Sequence, residues 1–95
     1  GLTAVFALGD AIAFGARRAA ADAGLAVPDD LSLVGFDDIS FSQFCVPRIT
    51  TIRQDSALLA ERSVRLLLAA LRDGAPAAHE VVPFELVERE SVRTV

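Results

Sequence analysis

Leu31-Ser32-Leu33-Val34-Gly35-Phe36 is a nearly unbroken apolar run that stops abruptly at Asp37-Asp38. A short apolar run bounded by charge reads as a strand covered on both faces, as in a parallel sheet. The rest of the chain must supply that cover. In open α/β sheets, ligands lie outside the carboxyl ends of the parallel strands. A strand ending in two carboxylates therefore presents acceptors where a polar ligand would sit.

The residues before this run supply a partner strand and a helix. Thr3 to Leu8 is apolar with β-branched and aromatic content, as expected of a strand. Gly9-Asp10 breaks it, and Asp10 is placed to cap a helix over Ala11 to Ala23. Ile12, Ala16, Ala19, Ala20 and Ala23 form the expected packing stripe, and Gly24 ends the helix. Val27-Pro28-Asp29-Asp30 is a turn that feeds the second strand. Strand, helix and strand in this order make a βαβ unit with parallel strands and a right-handed crossover.

The residues after the run are more mixed. Ile39 to Val46 carries Phe41, Phe44 and Cys45 among Ser40, Ser42 and Gln43. A short helix or loop is expected, its apolar groups facing a partner or buried under the same domain. Pro47 stops any helix, and the β-branched Ile49-Thr50-Thr51-Ile52 is extended. Asp55 or Ser56 caps a helix over Ala57 to Asp73, with Ala60, Val64, Leu67, Leu68 and Leu71 as its buried face and Glu61-Arg65 as an i,i+4 ion pair. Gly74 and Pro76 terminate it. Val81 to Val87 is a last strand, and Pro83 confines it to a sheet edge. Leu2 to Leu8 opens the chain as a buried strand with no polar leader, so the 95 residues read as the C-terminal piece of something longer; two helices are also too few to cover both faces of the parallel strands.

Composition and chemistry narrow the function. At 53% hydrophobic and 23% charged, the chain is globular. Its net charge is −4 and Arg17-Arg18 is the one adjacent basic pair, which is no footprint for nucleic-acid phosphates. No apolar run reaches membrane-spanning length and no signal segment is visible. The single Cys45 allows no internal disulfide, as suits a reducing cytoplasm. His79 is the one histidine and lies in a polar loop beside Glu80. Neither a nucleophile–base pair nor a metal-ligand cluster can be assembled from such residues. Asp37 and Asp38, adjacent on a strand, point to opposite faces and are poorly placed to chelate. Gly9-Asp10 lacks the further glycines of a phosphate loop. No enzyme activity, cofactor or metal is expected.

The strand ending Val34-Gly35-Phe36-Asp37-Asp38, followed by Pro47-Arg48-Ile49-Thr50-Thr51-Ile52-Arg53-Gln54, resembles the effector-binding core of lactose-repressor/galactose-repressor-type transcription regulators. There a Val-Gly-Phe/Tyr-Asp-Asp strand is followed by Pro-x-Leu-Thr-Thr-Ile/Val-x-Gln. The resemblance covers essentially the whole chain. It implies part of a two-subdomain α/β fold of the periplasmic-binding-protein-like type I kind, with a parallel sheet and flanking helices. By it, residues 1–48 are the C-terminal subdomain and 49–54 a crossing hinge strand (Ile49, Thr50, Thr51, Ile52, Arg53, Gln54). Residues 55–76 are a helix that packs on the N-terminal subdomain, and 77–95 a return strand and tail.

The resemblance also implies roles. Asp37 matches the effector-contacting Asp, its carboxylate accepting from sugar hydroxyls or purine N–H groups; a turn-capping Asp is the plainer reading. Gly9 stands where many members carry an effector-contacting Asn, which suits a larger ligand or backbone contacts. Gln54 either contacts ligand or locks the hinge. Phe14, Phe41, Phe44 and Cys45 map to a two-fold dimer interface, with ordinary core as the alternative. The implied function is effector binding and dimerisation in a cytoplasmic DNA-binding regulator, usually a repressor, whose operator contacts lie in an N-terminal domain absent from this chain. The alternative is a periplasmic sugar-binding protein feeding a transporter.

Overall fold

A computed structural model describes residues 1–94. The chain divides into two compact units, one of Gly1–Arg53 with the segment from Glu85 onward, the other Gln54–Phe84. The division falls inside two strands, β3 (Thr51–Gln54) and β4 (Phe84–Val87), which pair with each other.

The first unit is built on β1 (Ala4–Phe6), α1 (Asp10–Asp22) and β2 (Ser32–Val34). The two strands run parallel with Val5 opposite Leu33, as the βαβ reading requires. Both are shorter than the apolar runs that encode them. Backbone hydrogen bonding nevertheless continues beyond their ends. Ala7 N donates to Val34 O (2.8 Å), and on the far edge of β2, Gly35 N donates to Thr50 O and Asp37 N to Ile52 O, each at 2.9 Å. Val34 and Thr50 form a parallel bridge, so β3 starts alongside the end of β2. Lower on the same edge, Leu33 N donates to Ser91 O (2.8 Å), and the returning chain fills the place of a strand.

Leu33 sits at the centre of the core with Ala7, Ala13, Cys45 and Ile49; Val5, Phe14, Ala16 and Val27 pack around them. This corrects the helix phase expected from sequence. The buried positions of α1 are Ala13 and Ala20, with Ala16 partly buried, whereas Ile12 is 59% exposed. Positions 13, 16 and 20 share one helical face. A helix this rich in alanine has little contrast between faces, and the one large aliphatic residue was a misleading guide to its phase. Phe14, expected off the packed face, lies against the core. Gly24 does lie past the helix end with φ 77°, the left-handed conformation that favours glycine.

In the second unit, α2 (Ser56–Asp73) starts at Asp55, whose carboxylate accepts from Leu58 N (3.0 Å), and ends at left-handed Gly74. Glu61 pairs with Arg65 as the spacing predicts. No residue of α2 is buried, and Val64, Leu67 and Leu71 are exposed. The apolar stripe exists, but its own unit contains no element to cover it.

Gly35 passes so close to Asp10 that an added Cβ would collide with the carboxylate and meet Ile49 Cγ2 at 3.3 Å. Neither neighbour can retreat, since both are buried. Gly35→Ala is therefore expected to destabilise the full-length protein by about 1–3 kcal/mol, measured as a lowered urea midpoint with an unchanged slope.

Candidate functional site

Asp10 is the first residue of α1 and not its cap; Gly9 holds the cap position, with no side-chain hydrogen bond. The Asp10 carboxylate is turned inward and is 1% exposed. One oxygen accepts from Thr51 Oγ1 (2.7 Å), and the other from Ile39 N (3.0 Å) and Ser42 Oγ. A charge taken from water persists only when its lone pairs are met by donors. These donors come from the loop after β2, from the 3-10 helix Ser40–Gln43 and from β3. One side chain thus ties the helix start, the post-strand loop and the expected hinge strand together.

The end of β2 has an unusual backbone. Asp37 has φ 109° and Asp38 φ 53°, two successive non-glycine residues in the left-handed half of conformational space. Such residues are uncommon, and they concentrate where side chains must be presented to a ligand. The Asp37 side chain is exposed and its carboxylate has no hydrogen-bond partner among the described residues. A Cβ built on Gly9 would lie 3.8 Å from Asp37 Oδ2, so these two expected ligand positions adjoin. Gln54, the third, is the last residue of β3 and opens the second unit.

Asp38 faces the opposite way. Its Oδ1 lies 2.8 Å from an Arg89 guanidinium nitrogen and its Oδ2 accepts from Arg53 Nε at 2.7 Å. Arg53 also reaches Glu85 (2.9 Å), and Arg89 donates to Ile49 O (3.1 Å). Burial alone would raise the Asp38 pKa, but hydrogen bonds and charge from Arg89 and Arg53 outweigh it and hold the carboxyl below its ordinary 3.8. At the rim, the exposed Arg48–Glu90 pair lowers the Glu90 pKa, chiefly through its hydrogen bond.

Of the expected hinge residues, Ile49, Thr50 and Thr51 are buried, Ile52 is partly buried and Arg53 is the exposed one. Thr50 is woven into the returning chain: its Oγ1 accepts from Arg89 N (2.9 Å), and its amide donates to Ser91 Oγ (2.8 Å). Ser91 Oγ in turn donates to Leu33 O.

Phe14 meets Phe41 edge-to-face at 4.9 Å, a favourable aromatic geometry. Phe44 is 73% exposed, and Ile12, Phe41 and Val46 are exposed as well. Cys45 departs from the expected interface. It belongs to the core, its Sγ directed to Pro47 O (3.2 Å) and Ser42 O (3.6 Å), because the turn at Ser42–Pro47 folds its side chain inward. The inward role of Asp10, and the parts played by Arg89 and Ser91, were not anticipated. Asp10 in front of a helix carries the same local signal as a cap. Arg89 and Ser91 sit in a charged, strand-ending stretch that resembles a solvated tail.

Residues 2–92 match the model of the periplasmic binding protein-like domain, and the chain belongs to that family. Its relatives there are regulators of the lactose-repressor kind. The HTH-type transcriptional regulator MalR of Clostridium butyricum is 46% identical over 90 residues, covering 95% of this chain and 27% of that protein. The lac repressor dimer solved with operator and the anti-inducer ONPF superposes with a TM-score of 0.84, with 38% identity over 97% of this chain and 32% of that one. A LacI family transcriptional regulator from Enterococcus faecium with bound ribose gives 0.76 at 35% identity, covering 95% of this chain and 34% of that one. The chain spans about a third or less of the length of these relatives.

Because the folded pKa of Asp38 is lowered, its charged form stabilises the fold fully above its ordinary value of 3.8, and that contribution is lost as pH falls through the folded pKa. Asp38→Asn is accordingly expected to flatten the loss of thermal stability as pH falls below about 4, as read from melting curves collected from neutral pH down through that range.

Proposed function

We propose that this chain is the effector-binding and dimerisation part of a cytoplasmic DNA-binding transcriptional regulator, a repressor in the usual case, that takes a small polar ligand of sugar or nucleobase type. The observation that carries the reading is the Asp37 carboxylate. It has no partner among the described residues and lies past the carboxyl end of a parallel strand, set in a left-handed backbone beside Gly9. A carboxylate without an internal partner is an open acceptor for hydroxyl or N–H donors, and charge-assisted bonds of this kind are worth about 1.5–3 kcal/mol each. The Gly9 position, without a side chain, leaves room beside it.

The relatives support a regulator over a transport receptor, since MalR and the lac repressor are named for regulation and the latter was solved on operator DNA. Ribose in the Enterococcus structure supports a sugar-like effector. The exposed apolar group of Ile12, Phe41, Phe44 and Val46, backed by Phe14, serves as the face that meets a second copy. Effector binding would bias two arrangements of the subdomains and so the separation of the DNA-binding heads across the dimer. The strand Ile49 to Gln54 is the hinge.

Asp37→Ala in the full-length regulator is expected to abolish the effector response while leaving operator affinity within about twofold, because on this reading the phosphate and base contacts belong to a separate DNA-binding domain; reporter induction and operator titration measure the two. Unchanged induction would remove Asp37 from the ligand site. For the dimer face, Phe44→Glu is expected to weaken self-association by about tenfold or more, since truncating or charging a central aromatic anchor costs at least ~1–2 kcal/mol. Sedimentation equilibrium across a concentration series reads this directly.

A further inference from the structure

Asp37 and Asp38 both adopt left-handed backbones, and two such residues in succession persist only where their surroundings over-determine them. The Asp37 amide is held by Ile52 O (2.9 Å) and the Asp38 amide by Thr51 Oγ1 (3.3 Å). Those two bonds alone leave the dipeptide hinged on one edge. The other restraint is the Asp38 side chain. Both of its oxygens are gripped, one by Arg89 and one by Arg53, and the Asp38 and Arg89 side chains are only 9% and 8% exposed.

We propose that Asp38 is a positioning residue for the effector site: gripped by Arg53 and Arg89, it holds the Asp38 backbone left-handed and thereby aims the Asp37 carboxylate outward beside Gly9. The two arginines come from the two chain segments that lead to the second unit, Arg53 from β3 and Arg89 just after β4. Arg89 is itself fixed by Ile49 O and by the bonds between its backbone and Thr50 Oγ1. The aim of Asp37 therefore depends on both connecting strands keeping their register. Anything that slides one against the other releases a guanidinium from Asp38 and with it the left-handed pair. This rests on the reading of Asp37 as the effector contact, although the clamp itself can be tested without effector.

The test is amide hydrogen exchange on the full-length protein without sugar, comparing wild type with Arg89→Gln, Arg89→Lys and Arg53→Gln. Arg53 is half-exposed, so its variant remains folded even where Arg89→Gln does not. The expected result is that protection of the Asp37 amide falls by about tenfold or more in the glutamine variants, while the core amides of Ala13 and Ala20 keep theirs. Arg89→Lys, which retains a charge for Asp38, is expected to restore part of the loss. Unchanged Asp37 protection in Arg53→Gln, or equal loss at Ala13 and Ala20, overturns the clamp. Titration with D-ribose then separates the two ideas. Ribose affinity that falls in Arg53→Gln together with Asp37 protection supports the positioning role. Altered protection with ribose affinity unchanged between wild type and variant overturns it, whereas failure of Asp37→Ala to affect the effector response strikes the site reading instead.

Discussion

The arrangement of the first unit depends on one buried carboxylate. Removing an ionised group from water is costly unless donors replace the water, and Asp10 finds its donors in segments far apart in sequence: Ile39 and Ser42 after β2, and Thr51 in β3. The carboxylate can be satisfied only when those segments occupy their native places. It also lies at the start of α1, where the positive end of the helix dipole favours an anion. Gly35 is bare because the backbone of β2 must pass beside it. A polar requirement at one point thus specifies positions in a helix, a strand, a loop and a second strand, which an apolar contact, being non-directional, does not.

A second charged cluster stands on the other side of the β2 terminus, and the two divide the labour. Asp10 fixes where β3 begins relative to the helix and loop. Asp38 draws together residues further along the same strand and residues of the returning segment. Asp37 is the one carboxylate of the three whose side chain has no partner among the described residues. Three acidic residues within reach of one strand end would repel each other if all were solvated acceptors alone. Asp10 is satisfied by neutral hydroxyl and amide donors and Asp38 by two guanidinium groups, while Asp37 is left available for an external donor.

Much of this was legible in the residues. The strand over Leu31 to Phe36, the parallel βαβ unit, the Asp55 cap and the glycine stops at Gly24 and Gly74 follow from short-range rules of periodicity and backbone freedom. The Val-Gly-Phe-Asp-Asp and Thr-Thr-Ile-x-Gln motifs were enough to indicate the family. What escaped depends on distant contacts. Asp10 looks like a cap because capping and inward burial use the same residue at the same place, and only Ser42 and Thr51 distinguish them. Cys45 lies with Phe44 in the loop that the family resemblance maps to an interface, yet the turn leaves Phe44 exposed and buries Cys45. The phase of α1 was hidden by alanine, which is acceptable on either face. The stripe of α2 predicts a buried face, yet no residue of the helix is buried, because a stripe describes what a helix can bury and not what lies within its own unit to cover it.

Ser91 has a further implication. It lies 58 residues from Leu33 and 41 from Thr50, and it bonds to both. Its backbone and hydroxyl complete the open edge of β2 below the point where β3 takes over. During synthesis, β1, α1, β2 and the whole of α2 emerge before this residue does, so for that interval the edge of β2 beside Leu33 has no partner of its own. Contacts of such long sequence separation close late and slowly, and an unpaired strand edge invites pairing with other chains. In the interval before Ser91 leaves the ribosome, the edge of β2 beside Leu33 is therefore open to pairing with another chain.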